Sequence, residues 1–404
     1  MLRALFVIVA LDLFLGGGGR LVEIGPLTLR MVLFGIAMAV TAVFLVGRPT
    51  GWAAVDGQER LALGVVVAFL LTHAGAVVIG VLAGYPTADI ATDIKPLIYV
   101  LIAPFFALCL KTPGDVRLAA RLLRIAGLVL ALAYLVVWTG LTLRLLDFAR
   151  IYPLFNDTGE FFFRGDTFFF YKGFLYLGVG IVFLLAHRSP ASLPLAVLVT
   201  VALVLTLTRG FVLSTSIAVL ALLAIRDRRI LVASMPVIVA VGLVVLAYLP
   251  SLDQQYLEQR EMSNAIRGGD WAFFVDNASF GAMLIGEGFG APFNERLLFE
   301  NTFLWSLWKA GIPSLLFWLS PFAMATRWFL TAVRSPEHCM LAAAWWCSVL
   351  LVYVQTSTNP FLNNPIGMSI VLMAMLSLRV LARDTPPAAF APPVSQAAPG
   401  GQGA

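Results

Sequence analysis

The sequence predicts an all-α, polytopic membrane protein with about 12 transmembrane helices and a large outer loop between helices 9 and 10. Three observations carry this expectation. The 404 residues are 60% hydrophobic and 12% charged, with a mean hydropathy of +0.92, whereas about a quarter of the residues in soluble domains are charged. Apolar runs long enough to span a bilayer recur along the whole chain, without the period of two that strands would show. Lys and Arg also concentrate in short loops on one side of those runs.

In chain order the candidate spans are about 2–16, 27–46, 61–83, 94–110, 122–143, 168–186, 191–207, 210–225, 230–250, 302–326, 340–356 and 364–381. The first, MLRALFVIVALDLFLGGGG, is interrupted by Asp12 and lacks a small-residue cleavage pattern, so it reads as a membrane segment. The first, fourth and eighth are short enough to be tilted, re-entrant or half helices. With the N-terminus inside, the inner loops GRPTGWAAVDGQER, KTPGDVRLAARLLR, HRSP, RDRR, RWFLTAVRSPEH and RVLARD hold, with Arg3, more than half of the basic residues. An even number of spans returns the C-terminus to the same face. The outer face then receives the long segments 144–167 and 251–300 and most of the acids. Residues 1–383 form the transmembrane domain, and the Pro, Ala and Gly tail at 384–404 is too poor in large apolar groups to order itself. GGGG at 16–19 reads as a flexible outer turn, and FFFRGDTFFFYKGF at 161–174 as an interfacial aromatic belt.

The net charge of +5 is accounted for by topology, so no nucleic-acid partner is implied. Cys109, Cys339 and Cys347 are odd in number and lack CxxC spacing, which supports neither a disulfide framework nor a zinc site. There is no D-x-D, E-x-E, H-E-x-x-H, G-x-S-x-G, P-loop or dinucleotide fingerprint, so neither a metal nor a cofactor is expected.

The remaining chemistry lies in outer-face cations and carboxylates. Arg209, in TLTRGFVLS, sits between two apolar runs with almost no loop, where a charge is costly and either snorkels or has a function. Arg164 and Arg267 lie on the long outer segments, and Lys172 and Lys309 fall inside the outer ends of spans. Arginines gathered at a membrane surface suit phosphate oxygens bidentately. A lipid pyrophosphate carrying a sugar is a fitting substrate, because arginines neutralise the charge that develops as it leaves. Glu300 is a candidate base for an acceptor hydroxyl. Its bland alternative is a favourable acid at a helix N-terminus, with Asn301 as the cap.

From Arg267 to Phe317 the chain resembles the signature region of the O-antigen ligase and O-antigen polymerase superfamily. Arg267, separated by three residues from Trp271, matches the opening of that family's large periplasmic loop. Gly286, Gly288 and Gly290 match its G-x-G-x-G turn, and Asn301, Leu304 and Gly311 its H-N-x-x-L motif and helix step. Thr208-Arg209-Gly210 is similar to the family's S-R-G, and Arg164 to an Arg before the sixth helix. Three positions depart: Glu300 stands where the ligases have His, Lys172 and Gly173 replace a Pro-Asn pair, and Ser314 replaces the second Gly of the step.

The resemblance implies an inverting, metal-independent GT-C glycosyltransferase of the bacterial inner membrane, with both termini cytoplasmic. It would move a glycan from undecaprenyl pyrophosphate to a sugar or lipid-linked acceptor at the periplasmic face, within membrane lipid and with a chain-length regulator as a further partner. Glu300, Arg209 and Arg267 would be catalytic, and Arg164, Asn301, Lys172 and Trp271 would bind substrate. An acid at position 300 is more similar to the polysaccharide polymerases than to the ligases. The alternatives are an O-antigen ligase acting on lipid A core and, from another class, a transporter or flippase. Transport is disfavoured by the lack of internal repeats and by Asp12 being the only acid deep in an apolar run.

Overall fold

The computed structural model describes residues 1–25, 27–47, 55–227, 229, 254–293, 296 and 299–386. The ninth candidate span, residues 48–54 of the inner loop at 47–60 and the tail from 387 lie outside the described residues. Each of the remaining eleven candidate spans contains helix, though the second and sixth begin in a strand. Seven helical stretches are long and apolar enough to cross a membrane, among the described residues. The chain is thus a largely helical, multi-pass membrane protein.

The helices in order are α1 (Leu2–Leu15), α2 (Leu29–Val46), α3 (Gly57–Leu82), α4 (Thr87–Ile94), α5 (Ala103–Cys109), α6 (Pro113–Thr142), α7 (Phe148–Asn156), α8 (Leu175–Ala186), α9 (Ser192–Leu205) and α10 (Arg209–Arg226). After the undescribed stretch come α11 (Gln254–Asn277), α12 (Phe280–Ile285), α13 (Thr302–Ala332), α14 (Cys339–Thr356) and α15 (Pro365–Asp384). A 3-10 turn at Leu97–Ile102 joins α4 to α5, so the short fourth candidate is a broken helix. Sequence-local signals set several starts. Asp56 and Glu59 form a capping box before α3, and Thr112 and Asp115 form another before α6. Helix α15 is the centre of the bundle, buried along most of its length and packed on α13 and α14.

Two antiparallel hairpins interrupt the helical pattern: β1 (Glu23–Ile24) with β2 (Leu27–Thr28), and β3 (Phe161–Arg164) with β4 (Phe168–Tyr171). The second corrects the reading of 161–174 as a belt only, and it moves the helix of the sixth span to Leu175. Its register is fixed by cross-strand aromatic pairs: Phe161 stacks on Tyr171 at 4.6 Å, and Phe162 faces Phe170 at 5.7 Å.

The GGGG turn is likewise held in place, contrary to its reading as flexible. Gly18 N–H donates to Glu160 Oε2 at 2.6 Å, Tyr171 O–H donates to Leu15 O at 2.5 Å, and Arg30 donates to Gly17 O at 2.5 Å. Arg30 also pairs with Asp12 at 2.9 Å, which accounts for the charge inside α1. These bonds tie the base of the β3–β4 hairpin to the end of α1.

The most consequential joint lies where α13 breaks. Gly311 has φ 67° and ψ −166°, so the helix stops and restarts there. Pro313 then falls in the first turn of the second half, where a missing N–H is tolerated. Because Pro313 has no N–H, the carbonyl of Lys309 loses its helical partner. Gly288 N–H supplies one at 3.0 Å, and Glu287 N–H bonds Trp308 O at 2.7 Å. This close approach requires glycine on both sides: a Cβ on Gly311 would meet Leu284 O at 2.6 Å, and one on Gly286, at φ 82°, would meet Lys309 O at 2.5 Å.

A fully buried ion pair locks this joint. Lys309 Nζ lies 2.7 Å from Asp93 Oδ2 with neither side chain exposed to solvent. The ammonium also donates to Ala291 O at 2.6 Å, and Asp93 accepts from Gly290 N–H at 2.7 Å. Lys309 therefore does not snorkel, and Asp93 is an acid fully buried in the helical bundle, as Asp12 is not.

Removing one partner of a buried pair is expected to cost about 3–5 kcal/mol, because the other is left charged and unpaired. Lys309→Ala should therefore lower the thermal midpoint or the folded yield in detergent sharply. The double variant Lys309→Met, Asp93→Asn should recover much of the loss, since Asn still accepts from Gly290 N–H.

Candidate functional site

The segments that carry the singled-out cations meet at one end of the bundle, around a cavity of about 770 Å³. Arg164, Lys172, Arg209, Arg267 and Glu300 all line it. Four cations against one carboxylate make the cavity a place for an anion.

Arg164 ends β3 and reaches across to the end of α9. Its Nη1 donates to Thr206 O at 3.2 Å and to Leu207 O, carbonyls that a helix C-terminus leaves without intrahelical partners. The turn is tight: Leu207 adopts φ 54°, and Thr206 O–H donates to Leu203 O at 2.7 Å. Arg209 then becomes the first residue of α10, with Thr208 as its N-cap. A cation at a helix N-terminus opposes the macrodipole. An anion in the cavity would turn that opposition into attraction, since guanidinium and helix end would both face it. Lys172 follows β4 directly, with its ammonium 5.7 Å from the Phe162 ring centroid.

Arg267 projects from α11. Its Nε donates to Glu300 Oε2 at 2.6 Å, and its Nη2 approaches Thr358 O at 3.5 Å. Both members of the pair are about one-third exposed, 34% and 31%, so solvent and solutes reach them. One carboxylate oxygen of Glu300 is thus already held by a guanidinium.

Two predicted residues are not brought to the cavity. Asn301 is the N-cap of α13, its Oδ1 accepting from Phe303 N–H at 2.9 Å and Leu304 N–H at 3.2 Å. Trp271 is 54% exposed on α11 and is not among the lining residues. Conversely, the lining includes Thr358, Asn359 and Asn364 from the α14–α15 turn, and Asn264 from α11. Sequence reasoning passed over these, although TSTNPFLNNP, a polar stretch set between two apolar runs, was a visible signal.

Among the described residues the lining offers guanidinium, ammonium, amide and hydroxyl groups with a single carboxylate. Chemically this can bind a multiply charged anion, neutralise charge that grows on it, and present one basic oxygen beside it.

Asn301→Ala should cost about 1 kcal/mol of stability through the lost cap, and Asn301→Ser or Asn301→Asp should restore it. Thermal unfolding of the detergent-solubilised variants measures this. Activity should follow the folded fraction rather than fall independently.

No family model matches the chain. An O-antigen polymerase of Shigella flexneri is 26% identical to it over 376 residues, which cover 91% of this chain and 92% of that relative.

Proposed function

The near full-length likeness to an O-antigen polymerase supports the O-antigen ligase and polymerase superfamily, and on that premise we propose that the chain is a membrane glycosyltransferase that polymerises lipid-linked repeat units of a surface polysaccharide. The observation that carries the reading is the gathering of Arg164, Lys172, Arg209 and Arg267 with Glu300 around one cavity. In this reading the cavity opens to the periplasm from the inner membrane of a bacterium, and about twelve spans return both termini to the cytoplasm. Residues 251–300 form the periplasmic loop that brings Arg267 and Glu300 to the site.

The donor is a glycan on undecaprenyl pyrophosphate, and the acceptor is a sugar hydroxyl of a further lipid-linked unit. The hydroxyl oxygen attacks the anomeric carbon from the side opposite the pyrophosphate, and the C–O bond to the diphosphate breaks with its electron pair leaving on that oxygen. Inversion of the anomeric centre follows. Arg209 and Arg267 neutralise the charge that grows on the leaving diphosphate, with Lys172 adding a further positive charge beside them. Arg164 acts mainly by holding the turn that presents Arg209. Glu300 accepts the proton of the attacking hydroxyl. The neutral side chains of Thr358, Asn359 and Asn364 suit sugar hydroxyls better than phosphate.

Arg209→Ala and Arg267→Ala should each reduce turnover by about a hundredfold or more while the protein still inserts. Glu300→Gln should reduce it by about 10²–10⁴-fold, the range of a general base. Purified protein in liposomes with a lipid-linked repeat unit should yield a ladder of products. A single attachment to a core acceptor, without a ladder, would assign the ligase activity instead. Wild-type turnover in both arginine variants would remove the diphosphate role.

A further inference from the structure

One polar side chain inside the bundle lies outside the cavity yet touches two of its walls. Gln355, in the last turn of α14, is 1% exposed and is not among the residues that line the cavity. Its Oε1 accepts from Ser214 O–H of α10 at 3.1 Å. Its Nε2 has no partner among the described residues. Gly210, four residues before Ser214, shares the same face of α10. A Cβ on Gly210 would meet Gln355 Nε2 at 2.9 Å and Oε1 at 3.1 Å. The carboxamide is thus seated in the space that glycine leaves at position 210, and it is held there from Ser214.

The backbone of the same residue begins the amide-rich turn. Gln355 O accepts from Thr358 N–H at 3.0 Å, Asn359 N–H at 2.9 Å and Thr358 O–H at 3.0 Å. Bonds converging on one carbonyl leave the chain little freedom where Thr358 and Asn359 enter the cavity wall. Gln355 therefore joins the first turn of α10, which begins at Arg209, to the wall formed by the α14–α15 turn.

An apolar side chain of like size would fill this position without burying an unpaired amide. What it would not supply is the bond to Ser214. On the reading that Arg209 neutralises the leaving diphosphate, we propose that Gln355 is a positioning residue for the transfer reaction. Keyed between Gly210 and Ser214, it sets the first turn of α10 against the amide-rich turn and so aims Arg209 into the cavity. Gly210 gains a reason as well: the residue after the arginine must lack a Cβ for the carboxamide to seat.

If Gln355 acts through Arg209, its removal should matter only while that guanidinium is present. Gln355→Met keeps the bulk and loses the bond to Ser214, and Ser214→Ala removes the donor alone. Initial rates per inserted molecule are measured in liposomes with a lipid-linked repeat unit, for each variant with and without Arg209→Ala, together with thermal unfolding. In the background that keeps Arg209, Gln355→Met should lower kcat by about tenfold or more, the scale of a displaced reacting group, and Ser214→Ala by about threefold. On the Arg209→Ala background each should change the remaining rate by less than about twofold. A side chain that served stability alone would leave the rate per inserted molecule unchanged in both backgrounds.

Wild-type kcat in Gln355→Met, with Arg209→Ala impaired, overturns the positioning role alone. So does an equal fold loss in the two backgrounds, since residues that act independently add in free energy. Full turnover in Arg209→Ala overturns the diphosphate reading, and the positioning role with it. If Gln355→Met does not insert, Ser214→Ala decides: a loss confined to the background that keeps Arg209 supports the proposal, and wild-type turnover ends it.

Discussion

The structure depends on a charge pair sealed inside the bundle, Lys309 with Asp93, because it joins elements that otherwise share no strong contact. The pair alone explains little, since burying two charges is expensive and apolar packing often serves stability as well. Its value lies in what else the two groups hold. Lys309 bonds the carbonyl of Ala291 and Asp93 bonds the amide of Gly290, so both ends of the bridge fasten the glycine-rich turn at 286–291. The same turn fills the carbonyls that the break at Gly311 leaves open. The first half of α13 then runs from this anchor back to the cavity, about 13 Å along a helix. Glu300 and Asn301 thus stand at the free end of a short rigid rod whose other end is fixed by charge.

The second constraint is electrostatic and works at the cavity. Its cations come from three unrelated pieces of chain: a hairpin, the start of α10, and α11. None of these would hold a guanidinium toward its neighbours without a cause, because like charges repel and Arg209 also opposes its own helix. Each piece is therefore tied down separately. The hairpin is fastened to the GGGG turn through Glu160 and Tyr171, the turn before α10 is held by Arg164, and α11 is clasped through Arg267 to Glu300 and through Asp270 to Arg296. The repulsion is built into a scaffold that cannot relax, which is the arrangement an anion site requires.

Much of this was legible in the sequence, and the reasons differ by element. Hydrophobic runs announced the helices, because a span must be apolar along its length whatever its neighbours are. Arg164, Lys172, Arg209 and Arg267 could be singled out because charge beside such runs needs an explanation. The β3–β4 hairpin could not be seen, since six phenylalanines read equally well as a lipid-facing belt. The partner of Lys309 was hidden too: Asp93 lies 216 residues away and just before an apolar run, and only the fold brings them together. The amide-rich turn at 358–364 was overlooked for the opposite reason, that neutral polar residues between spans look like any loop.

The resemblance sets Glu300 against a His of the ligases, and a carboxylate differs from an imidazole in what it lets Arg267 do. A neutral imidazole and a guanidinium make a weak pair, whereas carboxylate and guanidinium attract strongly and hold a fixed geometry. On the proposed reaction Arg267 then stands between two anions, the base and the leaving diphosphate. In the resting site it belongs to Glu300, at 2.6 Å. As the bond to the anomeric carbon breaks, negative charge grows on the diphosphate while the carboxylate loses its own charge to the incoming proton. The same guanidinium is drawn from one to the other in step with the chemistry, so proton uptake and departure of the leaving group favour each other. A histidine in this place would become positive as it took the proton and would repel Arg267 at that moment, which is a reason for a carboxylate to stand where this arginine is the neighbour.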